Sequence, residues 1–329
     1  MRPIVWLWIG VVVSVFAVTY WRFSASKLES QKSFVAAKQR AARKTLGPKL
    51  LPFVERVEAW VVEIAKPDAP SFSTASIDAG LDWDQLARRP GVYLRLLKSK
   101  ATDSLGIRRA AVVSLNDGFT SCFFIREGAP DPTQGPKCNT SADCNAGLLC
   151  NEWDVCSTVP RPYNMRLAYR AFRILSEDFT RNLQDATDDL QVRALDRELE
   201  QITRVDVPVA IEVLQRAKIV TVVVDEEPPG FVKQVPYKPN EPVLTEEQRV
   251  QGAPHDARVG IWDMETGRRL VRWRGTASGR LLSVGKRVEL DPEVLGSRVR
   301  QSNSCTLAIA LRSRIQNAAA PVAAQATSP

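Results

Sequence analysis

The longest uncharged, apolar run opens the chain. Between Pro3 and Trp21 no side chain carries a charge. Nineteen residues of helix at about 1.5 Å rise reach roughly 28 Å, close to the hydrocarbon thickness of a bilayer. Trp6 and Trp8 lie near one end and Tyr20 and Trp21 at the other, where interfacial rings are expected. The pattern predicts a transmembrane anchor over 1–21. A cleaved signal peptide competes with it, using Arg2 as the positive region and Ser24-Ala25-Ser26 as the cleavage site; the length of the run and its tryptophans favour the uncleaved anchor. Residues 22–66 then read as a basic helical stalk. Ser26 to Lys44 is rich in Ala, Lys, Arg and Gln, which favours helix. Gly47-Pro48 should interrupt it, and Pro52 should start a second helix with Val54, Val57, Val61 and Ile64 on one face. Residues 67–80 form a linker rich in Pro, Ser and Ala.

The body runs over 81–316. Gly91–Leu97 reads as a strand, and Asp103 or Ser104 caps a helix with Ile107, Ala110, Ala111 and Leu115 on its apolar face. Asn116-Asp117-Gly118 ends that helix and Phe119 to Arg126 reads as a second strand, which together describe a parallel crossover. Tyr163 to Arg204 is helical in two pieces, and a short helix over Pro208 to Ala217 leads to Ile219–Asp225. That run is apolar enough to be a central strand. A proline-rich loop over 226–257 precedes a hairpin: Arg258 to Met264, a Glu265-Thr-Gly267 turn, then Arg269 to Gly275. A last helix covers Glu293 to Gln316, and 317–329 reads as a disordered tail. The expected fold class is α+β, a mixed sheet of about five strands with packed helices, preceded by an N-terminal transmembrane helix and helical stalk. Tyr93, Phe119, Phe123, Phe124 and Trp262 are read as core, on the ground that they alternate in strands.

The net charge of +8 suggests a nucleic-acid binder until it is located. Arg2 supplies one unit. The stretch from Arg22 to Lys49 supplies the other seven, through Arg22, Lys27, Lys32, Lys38, Arg40, Arg43, Lys44 and Lys49 against Glu29 alone. Residues 50–329 are therefore neutral overall, and no basic patch recurs there to hold nucleic acid. The stripe suits anionic lipid headgroups as well as it suits a solvated helix face. Membrane lipids are the expected partner, with a protein partner or a second copy of the chain meeting the stalk. By the positive-inside rule the stripe argues for a cytoplasmic body. The cysteines argue for an extracytoplasmic one and are given more weight, since long domains translocate despite their charge.

Cys138, Cys144, Cys150 and Cys156 fall at an unbroken period of six inside the loop-like stretch 128–162. Zinc sites present closer knuckles, often with histidine, and this chain has one histidine, His255. Two disulfides in an oxidising compartment are the better reading. Spacing does not fix the pairing; first with third and second with fourth is the expectation. The run Cys138-Asn-Thr-Ser-Ala-Asp143-Cys144-Asn-Ala-Gly147-Leu-Leu-Cys150 resembles the opening of cysteine-rich modules of secreted proteins, such as the dickkopf type. The resemblance covers 138–156 only and implies export and a stapled loop, without a ligand or receptor. Cys122 and Cys305 sit in apolar settings and form a third bridge or two buried thiols.

Candidate chemistry is sparse. Asp225 and Glu226, with Glu227, gather at the end of the central strand, where open sheets place ligands; a solvated strand exit is the plainer reading. His255 follows Pro254 in a polar loop and is read as solvated. Val259-Gly-Ile-Trp-Asp263 resembles part of a WD-repeat blade, but nothing repeats at the required period. Gly279 to Lys286 fails as a phosphate loop, because Arg287 stands where Ser or Thr must reach magnesium. Phe119-Thr-Ser-Cys122 and Ser304-Cys305-Thr-Leu-Ala-Ile-Ala-Leu-Arg312 resemble segments of uncharacterised single-pass bacterial envelope proteins, which implies a place and no activity. No catalytic residue, metal or cofactor is assigned. The sequence is read as a membrane-anchored extracytoplasmic binding or scaffold domain, with a membrane-tethered hydrolase using carboxylates near Asp225 as the rival.

Overall fold

The computed structural model describes residues 3–66, 75–114, 117–124, 135–145, 148–150, 154–157, 163–235, 243–280 and 291–324. In chain order the helices are α1 (Pro3–Ala65), α2 (Trp83–Arg88), α3 (Ser104–Ala111), α4 (Gly118–Phe124), α5 (Arg166–Leu175), α6 (Glu177–Asp185), α7 (Asp189–Gln201), α8 (Val207–Arg216), α9 (Glu246–Gly252) and α10 (Pro292–Ala324). The strands are β1 (Ser76–Ile77), β2 (Gly91–Leu97), β3 (Leu149–Cys150), β4 (Cys156–Ser157), β5 (Tyr163–Asn164), β6 (Ile219–Asp225), β7 (His255–Asp263) and β8 (Arg269–Ala277). The chain divides into two compact units. Unit one is Met1–Pro52 with Arg170–Ile211, and unit two is Phe53–Tyr169 with Glu212–Pro329.

Unit two is built on a six-stranded mixed sheet in the order β1-β8-β7-β6-β2-β5. β2 pairs in parallel with β6 and with the short β5, and the remaining pairs are antiparallel. β6 is buried along its whole length because helices cover both faces, which is why its sequence is continuously apolar rather than alternating. On one face Tyr93, Ile219, Val223, Val259 and Ile261 pack with Trp83 of α2, Phe119 and Phe123 of α4 and Leu307 and Leu311 of α10. On the other, Trp262 stacks on Trp60 of α1 with centroids 5.2 Å apart. Gly260 lies under that stack, and a Cβ there would stand 2.4 Å from the Trp262 ring and 2.8 Å from Ile64 Cδ1. The glycine is required by close approach. Buried Arg258 donates to the Ile64 carbonyl at 3.0 Å, putting a cation at the end of α1, where the helix dipole favours it.

Unit one is helical. Val35 and Leu50 of α1 are buried, as are Phe179, Leu183, Val192 and Leu199 of α6 and α7. Buried Gln39 donates to the carbonyls of Ile174 and Ser176 and accepts from Thr180 Oγ1. It thereby satisfies the chain where α5 ends and α6 begins. Between α7 and α8 the helix widens into a π-turn, Ile202–Asp206, with Val207 N–H bonded to the Ile202 carbonyl. Pro208 is the cause. It has no N–H to give residue 204, and its ring would crowd that carbonyl in an α-turn.

Several expectations are corrected. Among the described residues no helix is long and apolar enough to cross a membrane, which overturns the transmembrane helix in the expected fold class. The N-terminal apolar run and the polar stretch after Arg22 belong to one helix, α1, because no Gly or Pro stands between Val11 and Leu46 to divide them. Gly47-Pro48 does not stop that helix either; Pro48 and Pro52 lie inside it, held by burial of Leu50, Val54, Val57 and Val61. Phe119 to Phe124 is helix α4, not a strand, and residues 125–126 lie outside the described residues. Asp117 starts α4 by accepting from Phe119 N at 2.8 Å, and Phe119 and Phe123, four apart, share its buried face. The parallel partner of β2 is consequently β6. The expected linker, described only over 75–80, contributes edge strand β1 to the sheet. The loop 226–257 contains α9, opened by a capping box of Thr245 and Gln248. α10 continues to Ala324, through much of the expected tail; residues 325–329 lie outside the described residues.

Candidate functional site

The carboxyl ends of parallel strands are where open sheets place ligands, and β2 and β6 end side by side at Leu97 and Asp225. Strand alternation sends Asp225 to the α4–α10 face and Glu226 to the opposite one. The two acids singled out from the sequence are therefore not brought together. Glu226 accepts from Arg258 and from Arg274, and Glu227 accepts from Ser99 N at 3.2 Å. Asp225, fully buried, enters a different company.

Arg95 of β2 meets Asp225 in a two-pronged pair, Nε to Oδ2 at 2.7 Å and Nη2 to Oδ1 at 2.8 Å. Its third nitrogen, Nη1, donates to Asp117 Oδ2 at 2.6 Å and to Ser304 Oγ of α10 at 2.7 Å. Tyr93 donates its hydroxyl to Asp117 at 3.0 Å. His255 Nε2 stands 3.1 Å from Asp225 Oδ1, and its Nδ1 stands 2.8 Å from the Ala253 carbonyl. Both ring nitrogens thus face acceptors, and both bonds form only if each nitrogen carries a proton.

Burial alone would raise the Asp225 carboxyl; the charges and hydrogen bonds of Arg95 and His255 outweigh it and hold the group well below the usual carboxylate range. Burial opposes the charged form of Arg95, and Asp225 and Asp117 reverse that and push it well above its ordinary value. Tyr93 is pushed well up, first by burial and then by the Asp117 charge. A general acid or base has to reach a proton on a substrate. Here Oδ1 and Oδ2 of Asp225 are each engaged by Arg95, with His255 and Gln251 adding to them, and Arg95 is as buried as its partner. What the arrangement does is tie β2, β6, β7, the start of α4 and α10 together.

Two placements differ from the sequence reading. His255 is not solvated in a loop but opens β7 and is 3 % exposed. None of Arg95, Asp117, Tyr93 and Ser304 is expected from the sequence to belong to a site; Tyr93 is read there as core and Asp117 as the end of a helix. The available signal was Arg95 itself, a charge inside the otherwise apolar Gly91–Leu97 strand, which has to find an anion if both faces of that strand are buried.

All six cysteines are paired. Cys138 joins Cys150 and Cys144 joins Cys156, the first-with-third and second-with-fourth order. Cys122 of α4 joins Cys305 of α10 across 183 residues. The Cys138, Cys144 and Cys156 sulfurs lie within 4.8 Å of one another, but sulfur in a bridge is not the thiolate a metal requires. Of the basic stripe, Lys32 donates to the Gln184 carbonyl, Lys38 to Asp196 and Glu200, and Arg43 faces Glu177 at 3.9 Å, all within unit one. Lys27, Arg40 and Lys44 are exposed, and the Arg22 side chain lies outside the described residues. No family model matches the chain, and comparisons with curated proteins and with solved structures give no match either.

Proposed function

We propose that this chain is an extracytoplasmic binding or scaffold domain that acts without catalysis. The observation that carries the reading is the pairing of every cysteine, one bridge joining α4 to α10 at a sequence separation of 183 residues and two cross-linking the segment from Cys138 to Cys156. Such usage belongs to proteins that mature in an oxidising compartment. That segment packs around its own sulfurs, with Cys138, Cys150 and Cys156 buried and Leu148 against them. It is small and cross-linked, which suits presentation of a fixed surface at low entropic cost. The buried Arg95–Asp225–His255 cluster supports the same reading, since its charges are spent on one another. Directing the chain to an oxidising compartment, and separately retaining it in a reducing one, tests the proposal. The exported form should be soluble, thiol-free and cooperatively folded, and the retained form should be unstable. Equal melting temperatures for the fully reduced and oxidised chains would overturn it.

A further inference from the structure

Unit one contains a cleft of about 1000 Å³ between α1 and the segment formed by α7 and the π-turn. Its volume lies at the upper end of ordinary ligand sites, roughly 300–1,000 Å³. Ala41, Ala42 and Leu46 of α1 and Leu199 of α7 give it an apolar lining. The charges at the rim are unequal. Lys38 lines the cleft but is held by Asp196 and Glu200 at 2.8 and 2.7 Å. Arg197 and Arg204 also line it and are exposed; neither is within salt-bridge distance of a carboxylate among the described residues, while Glu200, which lines the cleft too, is held by Lys38 and also feels the Arg204 charge. Thr203 lines the cleft beside them. The π-turn that Pro208 imposes is what puts Thr203 and Arg204 there, and such turns recur at functional sites.

We propose that this cleft binds a single-chain anionic amphiphile, its acyl chain along Ala42, Leu46 and Leu199 and its carboxylate or phosphate head at Arg197 and Arg204. Arginine suits either head, because its planar donors match two oxygens at once. The site contains no cysteine and no member of the buried cluster, so it stands or falls separately from the compartment and the scaffold role.

Calorimetric titration of the full chain tests this, using dodecanoate, dodecyl phosphate and dodecyltrimethylammonium below their micelle-forming concentrations and dodecanol below its solubility limit. Saturable binding is expected for one or both anions, with dodecanol and the cation at least about tenfold weaker, a difference of about 1.4 kcal/mol. Preference between the two anions tells a fatty-acid head from a phospholipid-like one. Ala42→Trp, which fills the cleft, should abolish binding, and Leu46→Trp is the second filling variant should the first fail to fold. Arg197→Glu with Arg204→Glu should weaken the anions at least about tenfold while leaving dodecanol unchanged. No saturable binding of either anion, dodecanol binding as tightly as they do, or full binding by a folded cleft-filling variant would each overturn the proposal.

Discussion

Asp225→Asn keeps the side-chain shape and removes the charge that Arg95 and His255 both face. Arg95 retains Asp117 and Ser304 and His255 retains the Ala253 carbonyl, but the carboxylate that both face inside the sheet is gone. Removing one partner of a buried pair costs about 3–5 kcal/mol. Because Arg95 keeps a second carboxylate, about 3 kcal/mol is expected here. Equilibrium urea unfolding under non-reducing conditions, followed by tryptophan fluorescence, reads this as a lower midpoint at unchanged slope. The double variant Arg95→Met with Asp225→Leu removes both charges and should recover at least half of the loss, since apolar replacement of a whole buried pair is often neutral. The acid limb gives a further check. Asp225 is held low in the folded state, so its contribution is complete above the unfolded carboxylate value of about 3.9 and fades as pH falls through the folded one. The native chain should therefore lose stability below about pH 4 more steeply than Asp225→Asn. A single variant within about 0.5 kcal/mol of the native chain, or strictly additive effects in the pair, would refute the clamp.

Three other perturbations follow from particular contacts. Cys122→Ala with Cys305→Ala opens a loop of 183 residues; chain entropy sets the loss at about 5 kcal/mol, less what the two shorter bridges already constrain, so a loss of about 3–5 kcal/mol in urea unfolding is expected. Gly260→Ala puts a methyl 2.4 Å from the Trp262 ring and should lower stability by about 1–3 kcal/mol while changing near-ultraviolet dichroism, as the Trp60–Trp262 stack is displaced. Pro48→Ala restores an N–H within α1 and should raise the melting temperature, by up to about 3 kcal/mol of added stability; a lower melting temperature would mean that the helix depends on the proline.

Legibility followed how local the cause was. β2 and β6 were readable because a run such as Ile219–Asp225 is apolar on both faces, and α3 because Asp103 caps it through Gly106 N at 2.8 Å. α4 was misread. Phe-Thr-Ser-Cys-Phe-Phe favours strand by residue type, and what decides for helix is packing against α10 and the bridge to Cys305, both distant in sequence. Thr245 and Gln248 of α9 could have been read, since a capping box is written in four residues. For the candidate site, the place of Asp225 was legible and its chemistry was not. Register between β2 and β6 sets Arg95 beside Val223, two residues from Asp225 on the same face, and no spacing in the sequence encodes that. The cleft of unit one was invisible for the same reason, as its walls are separated by about 150 residues.

If the proposed function is right, this protein is completed by three disulfides formed in an oxidising compartment. Alkylating the protein at the moment of lysis from its native source, then mapping peptides without reduction, tests it most directly. The expected result is three linked pairs, Cys122 with Cys305, Cys138 with Cys150 and Cys144 with Cys156, and no alkylated cysteine. Six alkylated cysteines on a folded protein would contradict it.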